Sequence, residues 1–160
     1  MAVLFRWYDR ACLYIPNGTT ESTTTIGSAS ISLASQPLTC CLLTSTYTWS
    51  ASHTIYANLT NELTTVGGYT AGGLAMTTLA LTQAGIATNF TADNPSWTAS
   101  GAGIAAFRYA VVYINATIGG IVKPLLFAAD NNGVDVPATV APNPLTVTWN
   151  ATGVFQVGHS

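Results

Sequence analysis

Charge is what this sequence lacks. Four basic and six acidic residues make up 6% of its 160 residues, and the formal net charge is -2. Proton transfer and metal binding need titratable side chains gathered in one place. Here they are scattered. The two histidines, His53 and His159, stand far apart in the chain. The Asp130 to Asp135 stretch, with Asn131, Asn132 and Gly133, does not have the spacing of an EF-hand loop and reads as a plain turn. No nucleophile elbow, phosphate loop or dinucleotide fingerprint occurs. An enzyme is therefore not expected, nor a cofactor or a metal. The basic residues Arg6, Arg10, Arg108 and Lys123 make no patch beyond the Arg6 and Arg10 pair, which excludes nucleic acid as a partner.

Cysteine and long apolar runs are scarce as well. Cys12, Cys40 and Cys41 are an odd set without C-x-x-C spacing and read as buried thiols rather than metal ligands or a disulfide framework. The longest apolar runs, 109–114 and 125–129, have the length of strands, so no membrane partner is expected. Arg6, Asp9 and Arg10 interrupt any apolar leader, which points to synthesis in a reducing cytoplasm. Five glycosylation sequons carry little weight in a chain about one fifth Ser and Thr.

What is present is apolar residues, 49% of the chain, interleaved with hydroxyls. Near the start, Val3, Leu4, Trp7, Tyr8, Ala11 and Cys12 recur at three- and four-residue spacing with Arg6, Asp9 and Arg10 between them, which predicts a short amino-terminal helix. Pro16, Asn17 and Gly18 stop it. From about residue 26 the period changes to two. Segment 28–33 alternates strictly, and 38–47 reads as a more buried strand. Ile55, Leu59 and Leu63 suggest a short helical face. Strands are expected over 74–82 and 86–92 as a pair, over 97–99, centrally over 104–115, and over 121–129 with an edge or bulge at Pro124. A closing hairpin is expected from 145–149 and 154–157. The sum is one domain over 1–160, mainly β: a helix-and-loop arm over 1–25, then an antiparallel β-sandwich or jelly-roll-like fold over 26–160.

Arg108 is the residue out of place. It sits in the apolar run 107–113, and a buried guanidinium without a partner costs a fold several kcal/mol. Asp93, Glu62 and Asp130 are its candidate partners in a structural ion pair, and a contact to a neighbouring subunit is the alternative. Trp49, Trp97 and Trp149 read as core, although an exposed set would suit a carbohydrate platform. Gly67 and Gly68 precede Tyr69, and Gly72 and Gly73 follow Ala71. No lysine or helix follows, so this is not a phosphate cradle.

In order, the strand 42–48, His53, the run 59–63 containing Asn61 and Glu62, the loop Gly68, Tyr69, Thr70, Ala71, Gly72 and Gly73, then Ala92 to Pro95 before Trp97, the Arg108 to Tyr113 strand, and 145–149 stand at a characteristic spacing. Together these pieces resemble a family of tailed-bacteriophage virion proteins of about this length. They run from about residue 38 to 149, and the stretch from Asn61 to Gly73 is the most specific. The neutral segment 36–39 and Ile114 and Asn115 stand where the family often carries acidic residues, which leaves the surface partners open more than the fold. The resemblance implies a structural virion component without enzyme activity. Low charge and apolar surface then favour a capsid decoration (cement) protein on the head, docked on the major capsid protein, self-associated as a homotrimer, and assembled in the host cytoplasm. A tail, baseplate or fibre component is the alternative, and a carbohydrate-binding module a further one.

Overall fold

The computed structural model describes residues 4–9, 23–26, 29–84, 87–150 and 153–158. Among them run fourteen short strands: β1 (Leu4–Trp7), β2 (Thr23–Ile26), β3 (Ala29–Ser32), β4 (Leu38–Leu43), β5 (Leu74–Ala75), β6 (Ala80–Ala84), β7 (Ala87–Thr91), β8 (Ser96–Thr98), β9 (Tyr109–Ile114), β10 (Thr117–Ile118), β11 (Ile121–Val122), β12 (Leu125–Asp130), β13 (Pro144–Thr146) and β14 (Phe155–Gly158). The chain is mainly β, and every ladder is antiparallel. The frame is a five-stranded sheet in the order β1-β12-β9-β4-β5, beside a three-stranded sheet β14-β7-β6 and a pair β13-β8.

Continuous apolar runs make the centre of the large sheet. Every residue of β4, β9 and β12 is buried, as strands covered on both faces require. On one face Leu42, Val112, Ile114 and Phe127 meet Phe90, Trp97, Leu145 and Val154, which the smaller sheets and the chain next to them bring over. On the other, Cys41, Leu43, Val111 and Ala128 lie under Tyr8 and Tyr47, with Trp49, Tyr56 and Leu59 packed outside them. Just past Pro124, Leu125 faces Tyr113 and Phe127 faces Val112, so Leu126 is an extra residue and β12 bulges where an irregularity was expected.

Other expectations need correcting. Leu4–Trp7, expected to open an amino-terminal helix, is instead strand β1, paired with β12 from Leu4 opposite Asp130 to Trp7 opposite Phe127, and of the described residues in 3–12 Asp9 alone is helical. Residues 10–12 lie outside the described residues. The same side chains satisfy a period of two. Phe5 and Trp7 pack against Phe127 on one face, at 4.5 and 5.5 Å between ring centroids, while Arg6 and Tyr8 reach Trp49 on the other. The edge of β12 supplies a ladder that a helix could not match. Ile55, Leu59 and Leu63 belong to no helix beyond the single 3-10 turn Tyr56–Asn58. The expected strand over 74–82 splits, because β5 joins β4 while β6 turns away to pair with β7. Of the expected closing hairpin only the turn forms, with Asn150 and Gly153 bridged and the Gly153 N–H donating to the Asn150 carbonyl at 2.9 Å, while the flanking strands pair elsewhere. β13 pairs with β8 and β14 with β7, partners that lie tens of residues upstream.

Phe127 is fully buried and touches the rings of Phe5, Trp7, Trp149 and Phe155. Phe127→Ala should destabilise the fold by about 3–5 kcal/mol, as emptied aromatic sites do. Val140→Ala, at a position 65% exposed, should stay within about 0.5 kcal/mol. Urea titrations followed by tryptophan fluorescence compare the two.

Candidate functional site: a buried carboxylate and the cleft beside it

Asp130 ends β12 with no exposure to solvent, and the two arginines nearest it converge on its carboxylate. Arg108, just before β9, donates from Nε to Oδ1 at 3.0 Å and from Nη2 to Oδ2 at 3.1 Å. Arg6 on β1 donates from Nε and Nη2 to Oδ2 at 3.2 and 3.1 Å. The Gly133 N–H adds a third partner to Oδ1 at 3.0 Å, closing the turn after the strand. Burial by itself would raise this carboxyl's pKa. The Arg108 guanidinium, then the Gly133 N–H and Arg6, outweigh it and hold the group below the usual aspartate range. Arg108 gains as well: Asp130 raises its pKa further. Of the three candidate partners, Arg108 therefore takes Asp130. Glu62 and Asp93 are not its partners, because each already has donors of its own.

Glu62 sits inside the glycine loop. Its Oε1 accepts from the Tyr69 hydroxyl at 2.7 Å and from the Gly72 N–H at 2.6 Å, and its Oε2 accepts from the Tyr56 hydroxyl. The Tyr69 hydroxyl also accepts the Leu42 N–H at 3.0 Å, so one oxygen ties the loop to β4. The Tyr113 hydroxyl donates to the Gly72 carbonyl at 2.8 Å. The loop's glycines are steric requirements. At Gly68, φ is +94° and a Cβ would lie 2.1 Å from the Thr98 carbonyl oxygen. At Gly73, φ is +82° and a Cβ would lie 2.0 Å from that of Cys40. Burial first, then Glu62, pushes up the pKa of both Tyr56 and Tyr69, so both remain phenols and donors. The motif residues Gly68, Tyr69, Gly72 and Gly73 thus form a clasp around an acidic side chain.

The other singled-out residues take structural places. Asp93 accepts from the Thr77 hydroxyl at 3.0 Å and from that of Thr78. His53 hydrogen-bonds through Nδ1 to the Tyr47 hydroxyl at 2.9 Å, and Tyr47 to that of Tyr8 at 3.0 Å. Cys40 and Cys41 are free and buried. Burial pushes the Cys40 thiol up to about 12 and, with Glu62 nearby, raises Cys41 too, so neither is a ready nucleophile. Cys12 and His159 lie outside the described residues. Trp97 is buried, while Trp49 and Trp149 are half-buried and packed on the core, so the three do not make an exposed platform. Among the described residues no group of three His, Cys, Asp or Glu gathers, and no helix is long and apolar enough to cross a membrane.

Beside the Asp130 centre opens a cleft of about 540 Å³. Phe5, Phe107, Ala129 and the run from Leu145 to Asn150 line it, together with Arg108 and Asn131. Sequence reasoning missed this cleft and the role of Arg6. Arg6 was grouped with a helix, and the cleft is built by segments far apart in the chain. No family model, curated protein or solved structure matches this chain.

Two outcomes follow. The depressed Asp130 pKa contributes stability that is fully present above the unfolded-state value of about 4 and is lost as pH falls through the folded value. Asp130→Asn should therefore cost about 3–5 kcal/mol at neutral pH, because two guanidiniums lose their counter-charge. It should also flatten the stability loss below about pH 4 that wild type shows in denaturant titrations. Separately, Tyr69→Phe leaves the buried Leu42 N–H without an acceptor and should cost about 1–3 kcal/mol in the same measurement.

Proposed function

We propose that this chain is a non-enzymatic structural protein of a tailed-phage virion, a decoration protein that docks on the major capsid protein of the head as a homotrimer. In this reading the large sheet and the smaller sheets over it are the layers of a β-sandwich. The observation that carries the proposal is where the few charges go. Arg6, Arg108, Asp130, Glu62 and Asp93 are all engaged in contacts within the fold, and Lys123 lies over the Tyr56 ring. Among the described residues the exposed charges are the acids Asp9, Asp93 and Asp135, and the rest of what faces outward is largely hydroxyl and apolar, with Val66, Val122, Val134, Val140 and Leu4 each about half exposed or more. A surface of that kind docks at small desolvation cost and gives little colloidal repulsion to a free monomer. The resemblance through the Glu62 and glycine-loop stretch supports the same reading, since those residues form the clasp.

The mechanism is mechanical. Copies seated over junctions between capsid subunits bury apolar and hydroxyl surface and hold the subunits against internal pressure. The carbohydrate reading loses its support with the buried Trp97. Cosedimentation with empty heads, light scattering of the purified protein and cryo-electron microscopy of the virion test the proposal together. The expected result is a trimer that binds heads and is repeated over their lattice. Density confined to the tail, or a soluble monomer that ignores heads, overturns it.

A further inference from the structure

The run 145–149 lines the cleft with five consecutive residues, and that is informative. Consecutive residues of an extended chain point to opposite faces, so a groove touching all of them follows the backbone edge rather than one face. The hydrogen-bond phase agrees. The Ala99 N–H donates to the Asn143 carbonyl and the Val147 N–H to the Pro95 carbonyl, each at 3.0 Å. Odd-numbered residues thus face β8, and in the antiparallel alternation Thr146 and then Thr148 direct their N–H and C=O away from it. β13 has β8 as its one partner strand among the described residues. Among the described residues the Thr146 and Thr148 backbones make no other hydrogen bond. An unpaired edge beside an open groove is the geometry that accepts an added strand.

The charge lining the groove says what that strand carries. Arg108 is the one charged residue among those lining it. Asp130 engages the guanidinium through Nε and Nη2, which fixes its orientation. A guanidinium has five N–H donors, so the Nη1 pair and the second Nη2 hydrogen are left over. The Arg108 side chain is 23% exposed while Asp130 is fully enclosed, and Asp135, the other carboxylate that acts on it, does not line the groove, so Arg108 is the charge the groove itself presents. Phe5, Leu145, Val147 and Trp149 give the rest of the groove apolar walls.

We propose that this cleft seats an extended segment of a partner polypeptide, which pairs with the open edge at Thr146 and Thr148 and sets an acidic side chain on Arg108. The geometry is independent of the virion reading: a head-binding failure leaves it intact, and a failure here leaves the decoration reading to other surfaces.

The test titrates the full chain, labelled with nitrogen-15, with a blocked hexapeptide of alternating valine and threonine carrying one central aspartate. The comparison probes are the same peptide with asparagine in that place, and acetate alone. Binding should shift the amide resonances of Thr146 and Thr148 and the Nε–H resonance of Arg108. The asparagine peptide should bind at least about tenfold more weakly, as the loss of a hydrogen bond to a charged group implies. Thr148→Pro, which removes one outward N–H from an exposed position, should weaken the aspartate peptide without changing the far-ultraviolet circular dichroism. If that variant misfolds, the comparison of peptides on the wild-type chain still decides. Any of four results overturns the proposal: no shift at millimolar peptide, equal affinity for both peptides, the same shifts from acetate alone, or concentration-dependent shifts of those amides without peptide, which would assign the cleft to a second copy.

Discussion

The fully enclosed carboxylate of Asp130 holds one end of the main sheet together. Its two oxygens are shared by a guanidinium from β1, a guanidinium from the start of β9 and a backbone N–H from the turn that follows. Three segments far apart in sequence therefore meet at one point. Burying one such charge alone would be prohibitive, and pairing brings it within reach only when every lone pair has a donor. Asp130 meets that condition with five hydrogen bonds in all. The edge strand β1 is thereby fixed in register, because Arg6 reaches the carboxylate only when Leu4 stands opposite Asp130.

Glu62 solves a related problem by other means. Among the described residues no guanidinium reaches it. Two tyrosine hydroxyls and a glycine N–H stabilise it instead. The donors come from a loop whose backbone must pass within contact distance of its neighbours, so glycine is required there and a larger residue would push the loop off the carboxylate. The Tyr69 hydroxyl both receives from β4 and gives to Glu62. Loop position and strand position are thus set by one oxygen atom.

Strands buried on both faces were readable from the sequence at 38–43 and 109–114, which are almost wholly apolar runs that fit a central strand, whereas 121–129 suggested an edge or bulge at Pro124 and β12 bulges while lying inside the sheet between β1 and β9. The start of the chain was not. Leu4, Trp7 and Tyr8 recur at three- and four-residue spacing, while Phe5 and Trp7 also alternate with Arg6 and Tyr8, and the decision rests on the available edge of β12, which is tertiary information. Pairings failed for the same reason. The turn residues at 150–153 suggested a local hairpin, but β13 and β14 each find a more distant partner. Arg108 announced that it needed a carboxylate. Which one it takes depends on β12 lying next to β9, and no spacing rule contains that. The clasp was visible as glycines and a tyrosine, while its content, the Glu62 side chain, required knowing that the loop folds back onto β4.

A fold that uses its charges internally leaves itself few ordinary means of protecting strand edges. Lysines and inward-pointing charges commonly blunt such edges. Here β5 ends one side of the main sheet with two residues, too short to template another strand. On the opposite side, β1 has Arg6 turned toward Asp130 and Trp49. The edge at Thr146 and Thr148 has neither protection. Its side chains are hydroxyls, it borders an apolar groove, and the nearest charge is an Arg108 already oriented by its buried partner. The interaction that holds the main sheet together thus also orients a cation in the cleft that the 145–149 edge lines, and stability and recognition share one side chain.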